Sequence, residues 1–335
     1  MWPWPRGTFS AGRPTYDSDP DAPMPHDSYL HRLTRRLADG LATLPAAARE
    51  RHVAYLRAAQ RPDGGWAGRE GESDLYYTAF ALRGLAVLDA LDGDPADRAS
   101  DYLRGSLGQH ASVVDFFSLL YACVLLQVAG AADPLADAPV DWPDRVATTL
   151  ETLATPDGGY NKTPGGTTAS TYHTFLVALC YEVLGRTLPR PALIRDLVLS
   201  RRRDDGGFVE VTAMRRSGTN PTAAAIGLLE LVAPETLAPE AELHATVTAF
   251  LLEAVGEDGG LRANSRVPLS DLLSTFTGSW TLHQLGAFDR LAAGPLRRFL
   301  KETERAEGGY TAGFWDAGHD VEYTFYGLGT RALLG

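Results

Sequence analysis

The chain has 335 residues, 44% of them hydrophobic, which is enough for a sizeable core. A formal net charge of −11 argues against a nucleic-acid partner and disfavours non-specific attachment to an anionic membrane surface. Two cysteines, Cys123 and Cys180, fall inside apolar segments and read as reduced core residues of a cytoplasmic protein, and no apolar run approaches the ~18 residues of a membrane span.

Residues 1 to 27 hold six prolines and no periodicity, and read as a Pro-rich tail. Met1-Trp2-Pro3-Trp4-Pro5 has no long apolar segment behind it, so a signal peptide is not expected. Ser28 to Leu44 reads as an amphipathic helix, with Leu30, Leu33, Leu37, Leu41 and Leu44 at three- and four-residue spacing. Such a helix would cap the rest of the chain or pack outside it. From Ala46 onward a pattern repeats. Helix-forming stretches with a charged face (Arg49 to Ala59, Pro143 to Leu153, Pro191 to Arg201, Ala241 to Val255, Pro295 to Glu304) each lead into an acidic Gly-Gly turn. The turns are Asp63-Gly64-Gly65-Trp66, Asp157-Gly158-Gly159-Tyr160, Asp205-Gly206-Gly207-Phe208, Asp258-Gly259-Gly260-Leu261 and Glu307-Gly308-Gly309-Tyr310. Their first glycines lie 94, 48, 53 and 49 residues apart, so one copy has decayed near Gly105 to Gln109.

After each turn comes a polar loop and then an almost wholly apolar helix: Asp74 to Leu88, Asp115 to Val128, Ser170 to Leu184, Asn220 to Val232, Asp271 to Leu285 and Asp320 to Leu334. Helices apolar all round are buried. A fixed period of this size marks a repeat architecture. The expectation is an all-α fold, one α6/α6 toroid over residues 28–335, with six inner helices lining a central cavity. The loops between each turn and its inner helix would gather at the cavity mouth, where function usually resides.

Gln60-Arg61-Pro62-Asp63-Gly64-Gly65-Trp66 fits Q-x-x-x-G-x-W and resembles the repeat signature of the squalene and oxidosqualene cyclases. The Gly-Gly turns followed by aromatics also resemble the β subunits of protein prenyltransferases. In those, an inner helix opens with a D-x-x-H-T type signature, to which Asp320-Val321-Glu322-Tyr323-Thr324 is similar. The resemblance covers roughly residues 46 to 335. It implies isoprenoid chemistry, while fold alone does not fix activity. The prenyltransferase zinc ligands do not carry over. Asp271 stands at the Asp position, but Leu273 replaces the Cys and Tyr323 the His, and one carboxylate cannot hold zinc. The cyclase D-x-D-D motif is also missing. No cofactor is expected, with Mg2+ held by a carboxylate as the open option.

What remains is a set of acids at inner-helix starts: Asp74, Asp115, Asp271, Asp320 and Glu322. Asp is a favoured N-cap, so each has a structural reading. The functional reading is that they converge at the mouth, where a carboxyl in an aromatic, water-poor pocket gains a raised pKa and acts as a general acid. His173 is the histidine at such a helix start and would assist proton transfer; Tyr323 would fill the vacated ligand position. Tyr77, His173 and Tyr323 share one offset from Asp74, Ser170 and Asp320, and each precedes a threonine. Tyr76, Tyr77, Phe117, Tyr172, Trp280 and Tyr326 are candidate substrate contacts, since aromatic faces pack isoprenoid chains and stabilise cations. Arg262 and Arg266, in a mouth loop, are candidates for a diphosphate. The leading expectation is therefore an enzyme that cyclises or transfers a hydrophobic, diphosphate-bearing small molecule without zinc. The alternative is a non-catalytic toroid that binds a hydrophobic ligand or a protein. A carbohydrate-active toroid with paired carboxylates is a third reading, against which the Q-x-x-x-G-x-W turn speaks.

Overall fold

The computed structural model describes residues 28–107 and 112–335. The stretch 1–27 and part of the decayed turn expected near Gly105 to Gln109 lie outside the described residues. Helix α1 spans Tyr29–Leu41. Six helices then alternate with six others. The first set is α2 (Ala46–Ala58), α4 (Gly93–Ser106), α6 (Trp142–Glu151), α8 (Pro191–Ser200), α10 (Glu242–Glu253) and α12 (Ala293–Thr303). The second set is α3 (Leu75–Val87), α5 (Val113–Ala129), α7 (Thr171–Val183), α9 (Thr219–Val232), α11 (Leu272–Gln284) and α13 (Val321–Leu333). Only His52 and Leu56 of α2 are buried, whereas nine residues of α3 and eleven of α5 are. Each member of the second set packs on the next in chain order, and α13 packs back on α3, which closes an inner ring. This is the expected α/α toroid. A two-residue ribbon, Tyr310–Thr311 antiparallel to His319–Asp320, is the small exception to helix.

The Gly-Gly turns explain the repeat. Gly64 has φ of +91°, and a side chain there would meet the Arg98 carbonyl oxygen at 2.2 Å, so both conformation and space demand glycine. Asp63 Oδ1 accepts the Gly65 amide at 3.0 Å and the Ser73 hydroxyl at 2.9 Å. Asp205 and Asp258 hold Gly207 with Ser217, and Gly260 with Ser270, in the same way. Trp66 is fully buried, and its indole donates to the Leu56 carbonyl at 2.8 Å. Gln60 donates to the Gly64 and Pro95 carbonyls at 2.9 Å each. Every fixed letter of Q-x-x-x-G-x-W thus ties an outer helix to its turn.

The turn is also latched to the next inner helix. The amide of the residue after the second glycine donates to a threonine hydroxyl. The pairs are Trp66 with Thr78, Tyr160 with Thr174, Phe208 with Thr222, Leu261 with Thr275 and Tyr310 with Thr324, at 2.9–3.2 Å. The threonine following Tyr77, His173 and Tyr323 is therefore this latch. The shared offset that the sequence presents as a ring of functional groups has a structural cause.

Helix α1 closes one end of the ring instead of packing outside it. Trp280 Nε1 donates to the Tyr29 hydroxyl at 2.8 Å, and Glu182 Oε1 accepts the Tyr29 amide at 2.8 Å. Arg32 pairs with Glu230, and Arg36 donates to the Ala332 carbonyl at 3.2 Å. These partners lie toward the C-terminal ends of α7, α9, α11 and α13. The opposite end, where the inner helices begin, is the mouth.

Candidate functional site

The inner ring encloses a chamber of about 390 Å³, within the ~300–1,000 Å³ of small-molecule sites. Tyr29, Leu30 and Leu33 of α1 border it at the closed end. Its wall carries Tyr76 and Phe80 from α3, Phe117 from α5, Tyr172 and Phe175 from α7, Phe276 and Trp280 from α11, and Tyr326 from α13. Five of the expected substrate contacts, Tyr76, Phe117, Tyr172, Trp280 and Tyr326, thus share one space. Tyr77 does not join them; its ring lies against Gly68 of the first mouth loop.

Tyr76 and Tyr172 also border a more open space of about 480 Å³ with Asp74, Asp115, Lys162 and His173. The shared walls make it a polar vestibule to the chamber. Asp74 Oδ1 accepts the Tyr77 amide at 2.8 Å and so caps α3. Burial, with a smaller push from Asp115, raises its pKa above the usual carboxylate range. Asp115 is not a helix start. Ser112 caps α5 by accepting the Asp115 amide at 3.3 Å, and its hydroxyl donates to Asp115 Oδ2 at 2.8 Å. Burial lowers the pKa of His173, and its Nδ1 is enclosed without a partner.

Asp271 and Asp320 sit elsewhere on the mouth, and their oxygens are occupied. Asp271 accepts the Ser274 amide at 2.7 Å and the Ser274 hydroxyl at 2.8 Å. Asp320 accepts the Tyr323 amide at 2.9 Å through Oδ1 and Arg69 Nε at 3.0 Å through Oδ2. Arg69 also grips Asp316 at 2.8 and 2.5 Å, which joins the first mouth loop to the last. Its guanidinium lies 5.7 Å from the Tyr323 ring centroid. The Tyr323 phenol is pushed up to about 12, chiefly by burial.

Glu322, in the first turn of α13, is the acid whose surroundings differ. Its Oε1 accepts the Tyr76 hydroxyl at 2.6 Å and the Tyr326 hydroxyl at 3.4 Å. Both tyrosines line the chamber. Burial raises the Glu322 pKa, Asp320 adds to the rise, and the tyrosine hydrogen bonds and Arg83 oppose it. Glu210 also borders the chamber; its Oε1 accepts the Ser170 hydroxyl and the Tyr172 amide. The geometry thus offers a carboxyl group of raised pKa beside the mouth, a second carboxyl group on the wall and an aromatic interior.

The basic residues expected at a diphosphate do not face the chamber. Arg262 turns back onto the outer ring, donating to the Ala254 and Glu253 carbonyls at 3.2 and 2.8 Å. Arg266 borders a separate groove with Arg215, Arg216, Asp205 and Met214. The cation that does line the chamber is Arg83, in the middle of α3. Its lone charge in an apolar stretch is the one sequence signal that could have found it.

A prenyltransferase-type zinc does not fit these residues. Asp271 is spent on Ser274, Leu273 lines the chamber, and Tyr323 keeps its proton. Among the described residues, no three His, Cys, Asp or Glu side chains gather to hold a metal. No helix among them is long and apolar enough to cross a membrane.

The family model for the prenyltransferase alpha-alpha toroid domain matches residues 33–109, 99–233 and 222–335. The chain belongs to that family. Solved structures with a similar fold include the Candida albicans protein geranylgeranyltransferase-I complexed with GGPP, at 14% identity and a TM-score of 0.66 over 85% of this chain and 90% of that one. A variant of the type II terpene cyclase MstE from Scytonema, in complex with geranylgeranyl dihydroxybenzoate, matches at 15% identity and TM-score 0.55 over 91% and 98% of the two chains. An inactive α-1,6-mannanase variant from Salegentibacter sp. HEL1_6, in complex with α-1,6-mannotriose, matches at 14% and 0.60 over 86% and 99%. At such identities the likeness is one of fold. No curated protein is significantly similar to the chain.

Proposed function

We propose that this protein is an isoprenoid-handling enzyme that cyclises a hydrophobic terpenoid by proton transfer. The observation that carries the reading is Glu322, a carboxyl of raised pKa held by Tyr76 and Tyr326 where the aromatic chamber opens. A protonated carboxyl in such a place is a general acid. Glu322 would give its proton to a carbon of a substrate double bond, whose π electrons form the new C–H bond. The tertiary cation left behind is attacked by the next double bond, which forms the ring. The final cation loses a proton to Glu210, so the reaction is an isomerisation with no oxidant or reductant. The aromatic wall stabilises the intermediate cations. No step needs zinc, and Mg2+ has no part in this reading. The similar prenyltransferase and cyclase structures are complexes with GGPP and with a geranylgeranyl compound, which supports the substrate class. The enclosed aromatic chamber suits an isoprenoid better than a sugar. Two buried, unpaired cysteines suit a reducing, cytoplasmic setting.

One observation favours a second reading, a non-catalytic toroid that binds a hydrophobic ligand. Asp74, Asp115, Asp271 and Asp320 all serve helix N-termini. Incubation with linear isoprenoid substrates of increasing length, followed by mass spectrometry of the products, separates the two. The proposal expects a cyclic isomer from wild type and about 10²–10⁴-fold slower formation by Glu322→Gln. Tight binding without product from wild type would support the second reading.

A further inference from the structure

The arginines of this fold are mostly well supplied with acceptors. Arg201, fully buried, donates to the Ala169 and Glu210 carbonyls at 2.7 Å each and to the Thr171 hydroxyl at 2.9 Å. Arg83 is different. It borders the chamber; its Nε, like that of Arg201, is enclosed without an acceptor, but among the described residues its terminal nitrogens find none either. Its neighbours are ring faces, with the guanidinium carbon 4.1 Å from the Phe325 centroid, 4.7 Å from Phe80 and 5.3 Å from Tyr121. No carboxylate among the described residues lies within ion-pair distance of it. Glu322 feels its charge only from farther off. Arg83 is only half-buried, but its Nε is shut off from water without an acceptor, which is costly, and ring faces offset only part of that cost. Its planar fork matches a carboxylate or phosphate better than any other partner.

We propose that Arg83 receives the anionic head group of the substrate inside the chamber. The inference rests on the isoprenoid reading above and adds an orientation to it. Arg83 lies seven residues beyond Tyr76 on α3, about 10 Å deeper along the helix axis. The oxyanion enters first and rests on the guanidinium, toward the α1 floor. The hydrocarbon chain runs up the aromatic wall, and its far end meets Glu322 at the mouth. This orientation keeps a carbocation formed at Glu322 away from the guanidinium, where like charges would repel. It also means that the head group is retained, since it is bound at the closed end and is not a leaving group.

The test uses the full chain and three probes of one chain length: farnesol, farnesyl monophosphate and farnesoic acid. Affinities are read by calorimetry for wild type and Arg83→Met, which keeps the length and apolar stem of the side chain. Wild type should bind at least one of the two anions tenfold or more tighter than farnesol, and which anion does so identifies the head group. Arg83→Met should erase that preference while leaving farnesol affinity unchanged. It should also melt at a higher temperature without ligand, because it removes an unpaired charge, which checks folding in the same experiment. If Arg83→Met does not fold, Arg83→Lys replaces it, and should weaken the preference by losing the fork while keeping the charge. A preference that survives both changes overturns the inference and leaves the isoprenoid reading intact, as does farnesol binding as well as the anions. Failure of all three probes to bind wild type overturns both.

Discussion

The Tyr76 hydroxyl donates to Glu322 Oε1 at 2.6 Å across the seam where the first inner helix meets the last. Residues 246 apart in sequence thus form one unit at the chamber mouth. Burial raises the Glu322 pKa. Its protonated form is fully present below the ordinary carboxylate pKa of ~4.3 and is lost as pH rises through the folded value. Turnover that uses this acid should therefore fall as pH rises across that interval. Glu322→Gln should lower kcat by about 10²–10⁴-fold and abolish this limb of the pH profile. Because the folded state binds the proton more tightly than the unfolded one, wild type also loses stability over the same interval; Asp74, Glu182 and Asp271, raised likewise by burial, add to that loss, so the variant should lose less than wild type. A kcat within a few fold of wild type would remove Glu322 from the mechanism.

Tyr76→Phe separates the acid from its support. The Tyr76 hydrogen bond lowers the Glu322 pKa against the larger effect of burial. Deleting the hydroxyl should therefore raise that pKa further and move the alkaline limb of kcat to higher pH. Tyr76 and Phe occupy nearly the same volume, so chamber shape is kept. A pH–rate profile for the variant that overlays wild type would show that the hydrogen bond does not tune the acid.

Much of this fold is legible in sequence because each repeat obeys local rules. The turn Asp63-Gly64-Gly65-Trp66 needs positive φ, an amide acceptor and a buried anchor, and only a few residues satisfy each need. The starts of α3, α7, α11 and α13 follow from caps at Asp74, Ser170, Asp271 and Asp320. That same rule obscures the site. A capping aspartate and a catalytic one look alike in sequence, and ring symmetry makes both recur. Glu322 stands out only once Tyr76 and Tyr326 are placed beside it, a long-range fact. Arg262 looks like a mouth residue by position, yet its side chain returns to the α10 carbonyls. Helix α1 has a clear apolar stripe, but only ring closure decides that the stripe becomes the floor.

Asp320→Asn tests the capping reading against the catalytic one. The substitution retains one cap acceptor but loses the charge that meets Arg69 Nε at 3.0 Å. Arg69 keeps Asp316, so the loss is partial. The Arg69 side chain is 39% exposed, so the expected cost is that of an ordinary hydrogen bond, about 0.5–1.5 kcal/mol, measured by urea denaturation. Turnover should stay within a few fold of wild type. Loss of turnover with unchanged stability would return Asp320 to the catalytic set.

Leu37→Ala tests the floor. Leu37 is fully buried on α1, and truncation of such a residue costs about 2–5 kcal/mol. Because α1 bonds to several inner helices, the loss should appear as one cooperative shift in the denaturation midpoint. A separate early transition, with the ring intact, would mean that α1 is a detachable cap.

The last prediction concerns the metal. As purified, the protein should contain no stoichiometric zinc, because Leu273 offers no donor and Tyr323 holds its proton up to about pH 12. Asp271 and Tyr323 are near enough for the carboxylate charge to raise the phenol pKa. The double change Leu273→Cys with Tyr323→His should therefore place a thiolate and an imidazole beside that carboxylate. The carboxylate would have to leave Ser274, which it holds by two hydrogen bonds at 2.7 and 2.8 Å, so affinity should be modest. Zinc should nevertheless raise the melting temperature of the double variant and not that of wild type. Elemental analysis finding one tightly bound zinc per wild-type chain, lost on Asp271→Ala, would show that the mouth holds metal in another way.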